Sequence, residues 1–172
     1  MTFVLRLLGA LSEQDRGLYS RWSLSADSHR IMRAACVTIT HAGGALVSMA
    51  SVVVPLVLGF WDRSPTWSAA ASLAISHVVV QVIKRLVGRP RPDKPVGIDH
   101  PDRFSFPSGH ATSSLAVTLA YSVAFPHLAA PLVGFGMLVG WSRVALGVHY
   151  PGDVVAGQLI ASLTVLGVTL LG

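Results

Sequence analysis

Four stretches of this chain, residues 43–60, 67–83, 111–125 and 154–171, contain no Lys, Arg, Asp or Glu. Each approaches the roughly 17–25 apolar residues that a helix needs to cross a bilayer. A fifth, 129–148, is apolar except for Arg143. An ionisable group inside a membrane segment is costly, so Arg143 is a functional candidate from the outset. With 52% hydrophobic and only 12% charged residues in 172, the chain is too apolar for an ordinary soluble domain of its length. The expected fold is all-α: a multi-pass transmembrane bundle of about five to six helices in one domain. Residues 43–172 would form the helical core. Residues 1–42, where Arg6, Arg16, Arg21, Arg30 and Arg33 alternate with apolar positions, read as an interfacial amphipathic region. Whether its last part joins the span after Gly43-Gly44 is left open by the pattern.

The net charge of +5 does not describe a soluble basic face, because seven of the thirteen Lys and Arg residues fall between Lys84 and Arg143. A nucleic-acid partner rests on that charge alone and is not expected. The single cysteine, Cys36, excludes an intrachain disulfide and a cysteine-based metal framework, and reads as a small buried residue. Residues 1–11 carry an apolar run, but mixed charges follow it in place of a small-residue cleavage site. A cleavable signal peptide is therefore not expected.

Three polar clusters interrupt the apolar pattern. Lys84 is followed seven residues later by Arg91-Pro92. Pro107-Ser108-Gly109-His110 stands immediately before the third apolar stretch. Ser142-Arg143 is followed after five residues by His149 and after three more by Asp153. Counting hairpins through the membrane puts all three on one side. Ser108 can cap the helix that follows, and helix N-termini bind phosphate through their free amides. Pro151 suits the first turn of the last helix, so His149 and Asp153 can meet. Taken alone, the cations after the second stretch read as interfacial Lys and Arg contacting head groups.

Three cations around two histidines and a carboxylate suit an anionic phosphoryl group, whose charge must be held during transfer. Imidazole titrates at about 6.5, so a neutral nucleophile and a protonated acid are both accessible near neutrality. A carboxylate on one ring nitrogen of His149 would fix the tautomer that turns the lone pair of the other outward. A metal site is the competing reading. It is disfavoured because a bound cation would sit among three protein cations with no further carboxylates to serve as hard ligands.

Together the three clusters resemble the signature of the type 2 phosphatidic acid phosphatase (PAP2) superfamily, with all three motifs intact. They run from Lys84 to Asp153, about 40% of the chain, and are specific jointly where each alone would be weak. The resemblance implies a metal-free lipid phosphate phosphatase with no cofactor. In it His149 is the nucleophile and forms a phosphohistidine, His110 is the general acid, and Asp153 orients His149. Lys84, Arg91, Ser108, Gly109 and Arg143 would bind the phosphate. The partners it implies are membrane lipids and a lipid phosphate substrate: phosphatidate, phosphatidylglycerol phosphate, or a polyprenyl phosphate or diphosphate. The superfamily's soluble vanadium-dependent haloperoxidases fit this short, membrane-like chain less well. The alternative from another class is a non-enzymatic membrane protein that binds anionic lipid. The location implied is the cell (inner) membrane. Arg85, Arg89, Lys94 and Arg103 on the motif side favour a cytoplasmic site by the positive-inside rule. Many bacterial members of the resembled family act on the outer face, and the extracytoplasmic face is the expectation adopted.

Overall fold

The computed structural model describes residues 2–25, 28, 30–59, 63–92 and 103–171, with side chains from residue 12 onward except that of Arg63. Lys94, which entered the charge asymmetry, lies outside the described residues. The described chain is almost entirely helical. Helix α1 covers Thr2–Trp22, α2 Arg30–Ala42, α3 Ala45–Leu58, α4 Arg63–Val87, α5 Gly109–Ala124, α6 Ala129–Ala145 and α7 Pro151–Leu171. A single 3-10 turn, Pro126–Leu128, joins α5 to α6.

Local chemistry sets the helix ends. Gly59 closes α3 in the left-handed region at φ 65° and returns its N–H to the Pro55 carbonyl, a conformation that costs glycine little. The extended Ser108 caps α5 and accepts the N–H of Ala111. Pro151 opens α7, where its missing N–H removes no helical hydrogen bond.

Among the described residues, three helical segments are long and apolar enough to cross a membrane: Ser64–Val87, Pro126–Ala145 and Pro151–Leu171. The pair Arg30–Ala42 and Ala45–Leu58 passes the same test jointly across a 41° bend. Side-chain placement agrees with a lipid surround. Ile75, Val78, Val82 and Leu86 form an exposed stripe at helical spacing on α4, as do Val155, Leu159, Leu163, Leu166 and Leu170 on α7. A soluble protein would not leave stripes of this size in water.

Helix α5 occupies the centre and packs on α3, α4, α6 and α7. From Ala111 to Ala120 every residue except Leu119 is buried. The interior of α5 is nonetheless rich in hydroxyls, each bonded within its own helix. Thr112 donates to the Ser108 carbonyl (2.8 Å), Ser114 to His110 (2.8 Å), Thr118 to Ser114 (2.9 Å) and Ser122 to Leu119 (2.7 Å). Back-bonding of this kind satisfies the hydroxyls without a partner helix. It leaves small side chains against which neighbours pack closely. A Cβ added at Gly157 of α7 would lie 2.7 Å from both the Ser108 carbonyl oxygen and Thr112 Oγ1.

Candidate active site

One end of the bundle gathers the C-terminal ends of α4 and α6, the N-terminal ends of α5 and α7, and the residues that follow α4. Lys84, in the last turn of α4 and 4% exposed, donates from Nζ to the Phe104 carbonyl (3.1 Å). Beyond α4, Ser105 ties down the segment that carries Arg89 and Arg91. Its N–H donates to the Arg89 carbonyl (2.9 Å) and its hydroxyl to the Pro90 carbonyl (3.0 Å), beside a β-bridge between Pro90 and Phe104.

Arg91 reaches His149 from there. Its Nη1 donates to the Val148 carbonyl at 2.9 Å and lies 3.1 Å from His149 Nε2. An arginine has no acceptor atom, so Nε2 must accept and therefore carries the imidazole lone pair. The ring proton then belongs on Nδ1, which lies 3.5 Å from Asp153 Oδ2. Both residues are buried, Asp153 completely. Asp153 Oδ2 also accepts the Tyr150 N–H (2.9 Å) and Oδ1 accepts from Arg89 Nη1 (2.8 Å). The i,i+4 spacing is what brings His149 and Asp153 together at the start of α7.

Ser108 is fully buried, and its N–H donates to the Asp153 carbonyl (2.9 Å), which holds the N-terminus of α5 against that of α7. The amides of Gly109 and His110 open α5, where they have no intrahelical acceptor. His110 lies near Arg143, His149, Arg91 and His41. Its Nε2 would lie 3.6 Å from a Cβ at Gly44, in the break between α2 and α3. Arg143, 3% exposed, donates from Nη1 to Thr40 Oγ1 of α2 (2.8 Å). Its Nε is buried with no hydrogen-bond partner among the described residues. A donor in that state is costly unless a ligand completes it.

The eight residues singled out by the motifs, Lys84, Arg91, Ser108, Gly109, His110, Arg143, His149 and Asp153, thus collect at one end of the bundle. The motifs did not point to the supporting groups. Arg89, grouped by sequence with interfacial cations, is instead the half-buried partner of Asp153. Asp15 and Thr40 come from residues 1–42 and reach the site from α1 and α2. Among the described residues no group of three or more His, Cys, Asp or Glu is placed to hold a metal ion.

A helical membrane bundle that places Arg91 and the buried Lys84 and Arg143 around a carboxylate-backed histidine is suited to an anionic group. The comparisons narrow that reading. Residues 65–171 match the model of the PAP2 superfamily, and the chain belongs to that family. It is 40% identical over 101 residues to decaprenylphosphoryl-5-phosphoribose phosphatase of Mycobacterium tuberculosis (strain ATCC 25618 / H37Rv), covering 55% of this chain and 54% of the relative. It is 32% identical over 137 residues to phosphatidylglycerophosphatase B of Bacillus subtilis (strain 168), covering 69% of this chain and 64% of that protein. The chain therefore spans about half the length of the first of these relatives. The crystal structure of a transmembrane PAP2 type phosphatidylglycerolphosphate phosphatase from Bacillus subtilis superposes with a TM-score of 0.81 at 24% identity. That superposition covers 99% of this chain and 92% of the other, which establishes the shared fold.

Proposed function

We propose that this chain hydrolyses a phosphomonoester or diphosphate of a membrane lipid through a phosphohistidine on His149. The observation that carries the reading is the pair of contacts on the His149 ring, with Arg91 at Nε2 (3.1 Å) and Asp153 at Nδ1 (3.5 Å). Together they leave a lone pair on the nitrogen that faces the cations. Arg91, Arg143, Lys84 and the amides opening α5 after Ser108 would bind the phosphoryl oxygens. The unsatisfied Nε–H of Arg143 is a donor that such an oxygen would complete.

In the first step Nε2 attacks phosphorus, the N–P bond forms and the P–O bond to the lipid breaks. His110, charged as an acid once the bound phosphate offsets the surrounding cations, gives its proton to the departing oxygen, and Asp153 stabilises the charge that develops on the His149 ring. In the second step His110 takes a proton from water. The water oxygen bonds to phosphorus, the N–P bond breaks and inorganic phosphate leaves. The names of the related phosphatases support a lipid phosphate as substrate, among them decaprenyl-linked and phosphatidylglycerol-linked phosphates. We further infer an extracytoplasmic site.

The test is phosphate release by the purified, detergent-solubilised chain with EDTA present. The panel comprises phosphatidate, phosphatidylglycerol phosphate, and polyprenyl mono- and diphosphates, with His149→Ala alongside. Turnover that persists in EDTA and falls by at least about 10³-fold in the variant is expected. Undiminished release by His149→Ala would overturn the mechanism. Stoichiometric lipid retention without release would favour a binding protein.

A further inference from the structure

Asp15 and Arg89 are the charged, largely buried groups that the proposed reaction leaves without a role. Asp15 lies on α1, 7% exposed. Its Oδ1 accepts the Gly152 N–H at 2.7 Å, and its Oδ2 pairs with Arg89 Nη1 at 2.7 Å. The same Nη1 donates to Asp153 Oδ1 at 2.8 Å. One arginine nitrogen is therefore shared by two carboxylates, and one of these is the group facing His149. The grip has a second point. The Arg89 guanidinium lies 4.1 Å above the Tyr150 ring, and that ring meets the edge of Tyr19 on α1 at 5.4 Å. The Tyr19 hydroxyl donates to the Gly147 carbonyl at 3.3 Å. Helix α1 thus holds the segment carrying His149 at Gly147, Tyr150 and Gly152. A Cβ at 152 would stand 2.8 Å from Asp15 Oδ2, so any side chain there would have to push the carboxylate aside.

We propose that Asp15 is a positioning residue for the His149–Asp153 pair, acting through Arg89; the inference rests on the phosphatase reading above. While Asp15 shares Arg89, only part of the guanidinium's charge falls on Asp153, whose Oδ2 keeps its negative charge towards His149 Nδ1, 3.5 Å away. With Asp15 neutralised, Arg89 pairs with Asp153 alone. The carboxylate is then weakened as an acceptor and drawn away from a ring nitrogen already 3.5 Å distant. The phosphate-binding cations are untouched, so the loss belongs to nucleophilic attack and not to substrate binding.

The experiment compares full-length wild type, Asp15→Asn, Asp15→Glu, Arg89→Lys and the double variant Asp15→Asn/Arg89→Lys in detergent. The substrate is whichever lipid phosphate the wild type turns over, and rates are normalised to the folded fraction from thermal unfolding. Glu13→Gln, exposed on the same helix, is the control. We expect kcat of Asp15→Asn to fall roughly 10–100-fold, the scale of lost outer-shell partners, with KM unchanged. Arg89→Lys removes the nitrogen shared by the two carboxylates and the contact over Tyr150, which leaves Asp153 unpositioned, so it should also lower kcat. The double variant should be no worse than the worse single one, and Asp15→Glu should recover part of the rate. A tie that merely anchors α1 would lower thermal stability while leaving kcat per folded molecule intact, and that result overturns the proposal. So does a loss confined to KM. If Asp15→Asn does not fold, Arg89→Lys decides by the same split. A wild type that releases no phosphate from any lipid sinks the phosphatase reading and this inference with it.

Discussion

Arg91 bonds the Val148 carbonyl and the adjacent His149 ring from one nitrogen, so a single guanidinium fixes both the backbone and the tautomer at the proposed nucleophile. Lysine there would place a point charge on a flexible stem in place of the rigid planar guanidinium. A glycine does comparable work from the opposite side. Replacing Gly157 with Ala forces its new methyl against the Ser108 carbonyl and Thr112 Oγ1, both at 2.7 Å. Such overpacking should destabilise the bundle by about 1–3 kcal/mol. Thermal unfolding in detergent would measure this, and lowered phosphate release should accompany it as the Ser108 turn is displaced. An unchanged melting temperature would mean that α5 and α7 yield at no cost. The residues gathered at the site were legible to very different degrees. Lys84, Arg91, Ser108, Gly109, His110, Arg143, His149 and Asp153 stand in short strings whose spacing is visible by eye. Thr40 pairs with a group 103 positions away, and Asp15 with one 137 positions away. No local pattern marks a partner supplied by another helix. Arg89 was misread for the same reason: an arginine near the end of an apolar helix looks interfacial until its two carboxylates are seen.

At the level of elements, the five apolar stretches became α3 to α7, with ends moved by specific turns. The stretch 43–60 narrows to Ala45–Leu58 because Gly59 caps it. The stretch 129–148 ends as helix at Ala145 because Gly147 takes φ 73° and turns the chain towards His149. The first 42 residues were less legible, since arginines among apolar residues describe both an interfacial helix and one packed on the bundle. Helix α2 packs on α6, and its last turn delivers Thr40 to Arg143. Thr40→Val keeps the shape and removes the acceptor. Hydrogen bonds to charged groups contribute roughly 1.5–3 kcal/mol, so KM for a lipid phosphate should rise about tenfold or more. Inhibition by orthovanadate should weaken in parallel. Unaltered KM and vanadate inhibition would show that Arg143 is held without α2.

For the molecule as a whole, the cluster of α4, α5, α6 and α7 ends gives the bundle a polar pole, and the inferred outward orientation of that pole can be probed directly. Arg103 is exposed on the loop beside Phe104. Arg103→Cys in a Cys36→Ser background should react with an impermeant thiol reagent in intact cells. Labelling only after permeabilisation would place the pole in the cytoplasm. The central helix has a further consequence, for biogenesis. At 16 residues, α5 is about 24 Å long, short of a hydrocarbon core of roughly 30 Å. Its length is crowded with serine and threonine, and its outer surface is almost wholly claimed by other helices. A segment so built gains little from lipid when it leaves the ribosome. The helix that organises the mature protein is therefore the one most dependent on its neighbours for admission to the bilayer. Its insertion is expected to be completed cooperatively, as α6 and α7 emerge to enclose it.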